Sequence, residues 1–416
     1  MRRIWSGTAI VVTALVVAGC TGGALREESA DANSSRGSVV KIGFIAPLSG
    51  PFASAGEDLR RGFRFYLDRH EGRLGGRKVT IVEVDEGAGP ETGVPAVRRL
   101  LTRDRVVAAA GIVNSAVALG AHQSFIDARV PLIIATAGAN DLTGAKGSEF
   151  IWRTSFANAE ANYTMGKWLA QQPPIPGGVF LLAPEYVAGH EQLNGFKAAF
   201  IAGGGKIAGE QYSPFGITQD FQPYLTQVRA SGAGAIYAFY AGQDAIGFVR
   251  QYRDFGLAGR IPLYGPGFLT EGPTLSAQGA AADGIITALH YSSELDTPVN
   301  RDFVEAYEAV YKAPPTAFSV QAYDVGAVLD AALAQIEGAV SGAGLVAALP
   351  KVGEIDSPRG SWRFSPRRNP DQRMYLRQVR REEGQFVNAV VDDLGQVDPA
   401  ATGNGPGTRT PAEVRP

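Results

Sequence analysis

Short runs of apolar and β-branched residues alternate with longer segments of helical periodicity from residue 39 to about residue 391. Residues 40–47 have the composition of a buried strand, and residues 57–70 place an apolar stripe on one face of a helix. The same alternation then predicts strands at 79–84, 106–110 and 132–135 and helices at 92–102 and 116–128. A β-α-β-α order predicts a parallel sheet covered by helices on both faces, with right-handed crossovers.

A second set of alternating segments follows the first. It predicts strands at 178–183, 206–212, 235–240 and 262–264, with helices at 188–202, 219–230 and 243–255. Two further helices are expected at 300–311 and 318–337, before terminal strands. The pattern therefore predicts an α/β protein of two Rossmann-like lobes with parallel-sheet cores, between which the chain passes more than once.

The first twenty residues have the features of an export signal. Arg2 and Arg3 precede an apolar run at 8–17 that is too short to span a membrane as a helix. The run ends in the sequence VAGC, and this ending resembles a bacterial lipobox, in which Cys20 becomes the lipidated N-terminus. We therefore expect residues 1–20 to be a lipoprotein signal peptide. The mature protein would then be extracytoplasmic and held at the membrane surface by its lipid.

Composition limits the remaining possibilities. Residues 21–38 are small, polar and charged, which predicts a flexible tether, and the glycine- and proline-rich residues 396–416 predict a disordered tail. The rest is long enough for two cores, since 45% of the chain is hydrophobic. A net charge of −2 argues against nucleic-acid binding. Cys20 is the only cysteine, so no internal disulfide can form.

The sequence contains no convincing catalytic pattern. The four histidines lie far apart in the chain, without the spacing of metal ligands. Ser115 is not flanked by the glycines of a nucleophile elbow, and there is no Walker A loop. We therefore expect a protein that is not an enzyme and needs neither a metal nor a cofactor.

Several strand-to-helix turns are rich in small and hydroxyl residues. In open α/β sheets, ligands bind outside the carboxyl ends of the strands, where helix N-termini offer N–H groups to an anion. The candidate turns are 47–52, 111–115 and 135–140 in the first lobe and 185–186 and 239–244 in the second.

The chain resembles the leucine/isoleucine/valine-binding protein family, the type I periplasmic binding proteins of ABC importers. The opening segment 41–52 (KIGFIAPLSGPF) carries the resemblance, together with shorter motifs in the family's order. These motifs are Gly56, Gly62, Gly75–Val79, Asp85, Pro131, Arg153, Tyr186–Gly189, Phe196, Asp220, Phe221, Gly256, Leu257, Tyr323 and Asp324. The similarity covers roughly residues 39–391.

The resemblance implies a type I periplasmic binding fold, whose two lobes are joined by three crossover segments. These are expected near Ser155, Leu289 and Ser361, giving a first lobe of residues 39–155 plus 289–361 and a second of 156–288 plus 362–395. It also implies a ligand between the lobes, hinge closure on binding, and a membrane permease as partner. We expect a monomer.

The resemblance also implies the site. Family members hold a carboxylate with a serine after the third strand and backbone amides after the fourth, which here are Ser115 and the segment Ala137, Gly138 and Ala139. The remaining expected contacts are Ser49, Phe52, Tyr186, Tyr240, Asp244, Phe268 and Phe318.

Three departures from the family bear on the ligand. The glutamate that binds the α-ammonium of amino acids is replaced by Gly267, and two family tyrosines are replaced by Ala55 and Ala241. A buried ammonium without a carboxylate would be costly, although Asp244 or Glu271 could substitute. The stretch 265–270 is similar to a branch of the family associated with benzoate derivatives. We therefore expect a small carboxylate, in particular an aromatic acid, with a sensory lipoprotein and a secreted α/β enzyme as alternatives.

Overall fold

The structure is a computed structural model that describes residues 39–397. The predicted signal peptide with Cys20, the predicted tether and the predicted tail from residue 398 lie outside these residues. Within them, no helix has the length and apolar character needed to cross a membrane.

The described residues form strands and helices that largely follow the predicted alternation. The strands are β1 (Val40–Ala46), β2 (Arg73–Leu74), β3 (Arg77–Asp85), β4 (Ala108–Gly111), β5 (Leu132–Ile134), β6 (Ile151–Arg153), β7 (Val179–Pro184), β8 (Ile207–Ser213), β9 (Ala235–Ala238), β10 (Leu263–Pro266), β11 (Ile286–Leu289), β12 (Glu354–Ile355), β13 (Trp362–Phe364), β14 (Pro370–Asp371), β15 (Arg373–Glu382) and β16 (Gln385–Gln396). The helices are α1 (Ala53–Arg69), α2 (Pro90–Arg99), α3 (Ser115–Ala128), α4 (Asn158–Ala170), α5 (Val187–Ala202), α6 (Gln222–Ser231), α7 (Gly242–Asp254), α8 (Pro273–Gln278), α9 (Pro298–Tyr311), α10 (Ala317–Ala334) and α11 (Gly342–Ala348).

The first lobe is built on a sheet in the order β2-β3-β1-β4-β5-β6. Neighbours from β3 to β6 pair in parallel, and only the short edge strand β2 is antiparallel. β1 is apolar on both faces because helices cover both, and Phe44 stacks on Phe63 of α1 with ring centroids 5.0 Å apart. This arrangement confirms the predicted α/β class with a parallel core.

The second lobe is built on a sheet in the order β16-β15-β11-β10-β9-β7-β8. The five strands from β8 to β11 are parallel to one another, whereas the C-terminal hairpin β15–β16 adds to β11 in antiparallel register. The last two strands to be synthesised therefore complete the sheet of the second lobe. Two lobes with parallel-sheet cores are present, as the sequence predicted.

The chain passes between the sheets after β6, after β11 and before β15. The third passage comes later than the expected position near Ser361, because the small sheet β12-β13-β14 stays with the first lobe. Trp362 in β13 donates its indole N–H to Asp324 of α10 at 3.0 Å, and Arg153 donates its backbone N–H to the carbonyl of Arg368 at 3.0 Å.

Buried charges connect the chain segments at these passages. Arg359 forms an ion pair of 2.8 Å with Asp324 and donates to the Thr154 carbonyl at 2.7 Å. Arg153, at the end of β6, donates to the Phe156 carbonyl at 2.7 Å. Because both guanidinium groups bind main-chain oxygens of the first crossover, they fix its position beside the cleft.

Candidate functional site

A cavity lies between the two lobes, and the space enclosed by its lining residues, part of it open to solvent, measures about 570 Å³. Its walls come from the turns at the carboxyl ends of the strands in both sheets, from the first crossover and from the start of α10. The lining residues are Phe52, Ser54, Ala55, Asp58, Val113, Ser115, Thr136, Gly138, Phe156, Asn158, Tyr186, Ala188, Gln192, Phe239, Ala241, Gly242, Phe268, Glu271, Pro273, Thr274 and Phe318.

Hydrogen-bond donors of the first lobe face the cavity after β4 and β5. Ser115 begins α3, and its Oγ accepts the N–H of Ala139 at 3.1 Å, which leaves the hydroxyl proton free to point elsewhere. Thr136 and Gly138 also line the cavity, and their backbone N–H groups have no acceptor among residues 39–397. These three residues can therefore donate together to one anion.

The structure corrects the expected role of two backbone amides. The N–H of Ala137 is bonded to the Ile112 carbonyl at 2.9 Å, and that of Ala139 is bonded to Ser115. The side chains of both alanines are buried in the core of the first lobe. Successive peptides of an extended segment face opposite ways, so Gly138 faces the cavity where Ala137 and Ala139 do not.

Gly138 is also suited to this place by its size. A Cβ at this position would clash with the side-chain oxygen of Asn158 and meet the Phe156 ring at 2.6 Å. The first crossover can pass this close to the turn only because residue 138 has no side chain.

Six aromatic rings line the cavity. Phe268 packs between Phe156 and Phe318, with ring centroids 4.9 and 5.6 Å away. On another part of the wall, Tyr186 stacks on Phe215 at 4.3 Å and on Phe239 at 6.3 Å, and Phe52 of the first lobe completes the group. Such walls favour a flat, apolar ligand body.

Six of the residues predicted from the sequence meet at this cavity: Phe52, Ser115, Gly138, Tyr186, Phe268 and Phe318. Besides the two alanines, three others lie outside its lining. Ser49 is exposed and donates its hydroxyl to Asp85 at 2.9 Å, whereas Asp244 accepts the N–H of Gly216 at 2.9 Å.

Tyr240 is the third of these residues, and it is fully buried in the core of the second lobe. Its ring packs on Phe248 at 4.7 Å and on Phe221 at 5.2 Å. Because side chains alternate between the two faces along the end of β9, the cavity is lined by the preceding residue, Phe239. Of the two aromatic residues in this predicted turn, the structure thus places Phe239 at the cavity and Tyr240 in the core.

Two carboxyl groups, those of Glu271 and Asp58, also line the cavity. Only Glu271 was considered from the sequence, as a substitute partner for an ammonium group. Glu271 is buried and accepts from Arg377 at 2.8 Å and from the N–H of Ala317 at 2.7 Å. Asp58 is also buried and accepts only from the Thr316 hydroxyl at 3.2 Å, and burial raises the pKa of Asp58 to about 7. Asp58 could have been found from its spacing, since it lies three residues after Ala55 on the inner face of α1.

The two lobes touch each other at the mouth of the cavity. Phe52 packs on Phe215 with centroids 5.6 Å apart, and Gly242 lies directly against the carbonyl of Pro51. Glu191 of α5 accepts the N–H of Asn140 at 3.0 Å. These contacts join the two lobes beside the cavity and narrow its opening to solvent.

The charged groups of the cavity are Glu271, which is paired with Arg377, and Asp58, whose pKa is raised by burial to about 7. No lysine or arginine is among its lining residues, and residues 39–397 contain no cluster of metal-ligating side chains. An oxyanion would be bound by the hydroxyl and N–H groups of Ser115, Thr136 and Gly138, and its hydrocarbon part by aromatic rings.

Comparison with known proteins gives a consistent result. The family model for periplasmic binding proteins matches residues 39–385. The Leu/Ile/Val-binding protein homolog 6 of Brucella melitensis is 31% identical over 372 residues, which cover 88% of this chain and 94% of that protein.

Two solved structures are similar to the whole described fold. A solute-binding protein of an ABC transporter from R. palustris, in complex with benzoate, has 34% identity and a TM-score of 0.80, covering 87% of this chain and 98% of that one. Another, from Rhodopseudomonas palustris BisB5 in complex with 3,4-dihydroxy benzoic acid, has 29% identity and a TM-score of 0.81, with coverage of 87% and 99%. The chain therefore belongs to the periplasmic binding protein family, as an extracytoplasmic type I solute-binding protein of an ABC transporter.

Proposed function

We propose that this protein captures an aromatic carboxylate in the interlobe cavity and delivers it to a membrane permease. The observation that carries the proposal is the combination of free donors at Ser115, Thr136 and Gly138 with six aromatic rings in one cavity. The carboxylate would bind to the donors while the ring packs between Phe156, Phe268 and Phe318. The similarity to proteins solved with benzoate and 3,4-dihydroxy benzoic acid supports the same ligand class.

The surroundings of Gly267 argue against a branched-chain amino acid. A Cβ there would clash with the Arg377 guanidinium and lie 2.6 Å from Cβ of Leu289, so this position cannot carry a glutamate in the present packing. Arg377 instead donates to the Gly267 carbonyl at 3.0 Å and forms an ion pair with Glu271. Of the two substitutes considered from the sequence, Asp244 lies outside the cavity and Glu271 is already paired. An α-ammonium group would therefore find no free carboxylate at or beside position 267, and the other carboxyl group that lines the cavity is that of Asp58.

Titration calorimetry of the purified protein with benzoate, 3,4-dihydroxybenzoate, leucine and valine tests the ligand class. We expect the aromatic acids to bind with a Kd of roughly micromolar or below, equivalent to about −8 kcal/mol. No heat is expected from the two amino acids. Tight leucine binding without benzoate binding would refute the proposal.

We also propose that Cys20 anchors the protein to the membrane through a lipid, as the lipobox-like sequence suggests. The expected result of Cys20→Ser is release of the protein from the membrane fraction, whereas the wild type stays there until detergent is added. Equal partitioning of both proteins would show that Cys20 carries no anchor. The protein would act as a monomer and serve a permease, and its transporter relatives give no support to the sensory and enzymatic alternatives.

A further inference from the structure

Asp58 is the one carboxyl group lining the cavity that has an oxygen without a hydrogen-bond partner among residues 39–397. Its side chain lies one turn into α1 and the residue is only 5% exposed. Oδ2 accepts the Thr316 hydroxyl at 3.2 Å, whereas Oδ1 has no donor. Because Asp58 lines the cavity, a ligand that brings a hydrogen-bond donor to Oδ1 would be favoured over one that does not.

The neighbouring groups do not satisfy Asp58. Glu271 is the nearest acid, and it is occupied by Arg377 and by the N–H of Ala317. Arg61 on the same helix donates its Nε to Glu57 at 3.0 Å. Burial raises the pKa of Asp58 to about 7 although the Arg61 charge lowers it, so near neutral pH the group can accept or donate a hydrogen bond.

Helix α10 contacts both Asp58 and the turn that carries the anion-binding donors. Thr316, the N-cap of α10, contacts Asp58, and Gln321 of the same helix accepts from the Thr136 hydroxyl at 2.9 Å. Five residues of helix correspond to about 7.5 Å along the axis. This separation suits a benzene ring that carries one substituent at each end, and Phe318 lies between the two contacts.

We propose that Asp58 determines specificity within the aromatic-carboxylate class, by binding a hydroxyl on the ring carbon opposite the ligand's carboxylate. The inference rests on the proposed function, since the carboxylate must occupy the donors at Ser115 and Gly138. The distal hydroxyl then donates to Oδ1 of Asp58, which gains a protein-side partner only in the complex. Unsubstituted benzoate fits the same cavity but leaves Oδ1 without a donor.

Calorimetry with benzoate, 4-hydroxybenzoate and 2-hydroxybenzoate tests this inference. We expect the wild type to bind 4-hydroxybenzoate roughly tenfold or more tightly than benzoate, as a hydrogen bond to a buried acid predicts. The 2-hydroxy isomer is the positional control, and no gain is expected from it because its hydroxyl lies beside the carboxylate. In Asp58→Leu, the ratio of the affinities for 4-hydroxybenzoate and benzoate should fall to about one, whatever the change in benzoate affinity itself.

Asp58→Asn provides a second variant of nearly unchanged size, should the leucine variant not fold. The preference should decrease in the order wild type, Asp58→Asn, Asp58→Leu. The role of Asp58 would be refuted if both variants kept the preference for 4-hydroxybenzoate, or if a wild type that binds benzoate showed no such preference. Either result would leave the proposed function intact. Wild type that binds no benzoate at all would refute the proposed function, and leucine binding lost in Asp58→Leu would reassign Asp58 to an ammonium group.

Discussion

At the residue scale, the direction of single peptide groups and side chains decides which residues meet the ligand. Ser115 and Ser49 were both predicted contacts, yet only Ser115 lines the cavity, because Ser49 is turned toward Asp85 at the exposed end of β1. The two serines therefore form a natural pair for testing the anion site.

Ser115→Ala should weaken binding of an aromatic acid by roughly 10- to 100-fold, the effect of losing one hydrogen bond to a charged group. The N–H of Ala139 also loses its acceptor, so a small decrease in Tm is expected. Ser49→Ala is the matched control and should leave affinity within twofold of wild type by calorimetry. Equal losses in both variants would contradict the assignment of the donors.

The pair Phe239 and Tyr240 tests the register at the end of β9. Phe239→Ala removes a ring from the cavity wall and should lower ligand affinity by roughly tenfold or more, given about 0.5–1.5 kcal/mol per aromatic pair beyond the loss of buried area. Tyr240→Phe removes only a hydroxyl that contacts Ser213 in the core and should leave affinity unchanged. A fluorescence or calorimetric titration that gave the reverse order would place Tyr240 in the site.

The sequence predicted these turns but not the individual atoms. Alternating side-chain patterns identify the ends of strands, and ligands bind there for reasons of sheet geometry. Whether residue 137, 138 or 139 faces the ligand depends on one peptide rotation, which is set by contacts with Ile112 and Arg153 from distant parts of the chain. Such tertiary contacts leave no periodic signal.

At the element scale, α4 was missed because it buries polar residues. Glu160 and Asn162 are buried in it, and Asn162 donates to Gln192 at 2.8 Å. A helix whose inner face carries polar side chains lacks the apolar periodicity used to predict helices. The central strands β1, β4, β5, β7 and β9, in contrast, were predictable from sequence because their runs are almost entirely apolar and buried.

Glu160 in α4 makes the stability of the folded protein depend on pH. Burial raises the pKa of Glu160 to about 7, against about 4.3 in an unfolded chain. The folded protein therefore holds this proton more tightly, so its stability is greatest below the unfolded pKa and declines as pH rises toward and through 7. Burial also raises the pKa of Asp58 to about 7 and of Glu86 to about 8, which act in the same direction.

The Tm of the unliganded protein should consequently fall between pH 5 and pH 8. In Glu160→Gln the total decrease in Tm over this pH range should be smaller by several degrees. This estimate uses roughly 2–4 °C per kcal/mol for proteins above 150 residues. Glu305→Gln, an exposed change on α9, serves as the control with the wild-type slope. A Tm that rose with pH in the wild type would contradict the protonated state of these buried acids.

At the scale of the whole molecule, backbone atoms of the two lobes lie in direct contact across the cleft. Gly242 begins α7 with φ of +56°, and an added Cβ would clash with the carbonyl of Pro51 across the cleft. Gly256, just after the same helix, has φ of +72° and nothing within 4 Å of an added Cβ. The two glycines thus differ in what they face rather than in the backbone conformation they require.

Gly242→Ala and Gly256→Ala should both lose about 1–2 kcal/mol of stability, because alanine is disfavoured in the left-handed region. Only Gly242→Ala should weaken ligand affinity, by roughly tenfold if closure loses about 1.4 kcal/mol. Small-angle scattering should then show a ligand-induced decrease in radius of gyration for Gly256→Ala and a smaller one for Gly242→Ala. Identical affinities would mean that the cleft closes without this contact.

The antiparallel hairpin β15–β16 has a consequence for how the protein is made. β11 lies between β10 and β15, so a growing chain that has reached residue 289 exposes one unpaired edge of its sheet until residues 373–382 arrive. Nearly the whole polypeptide must therefore be synthesised before the sheet of the second lobe is complete. Until then, the free edge of β11 can pair with a strand of another chain, so the C-terminal hairpin also protects the young lobe from aggregation.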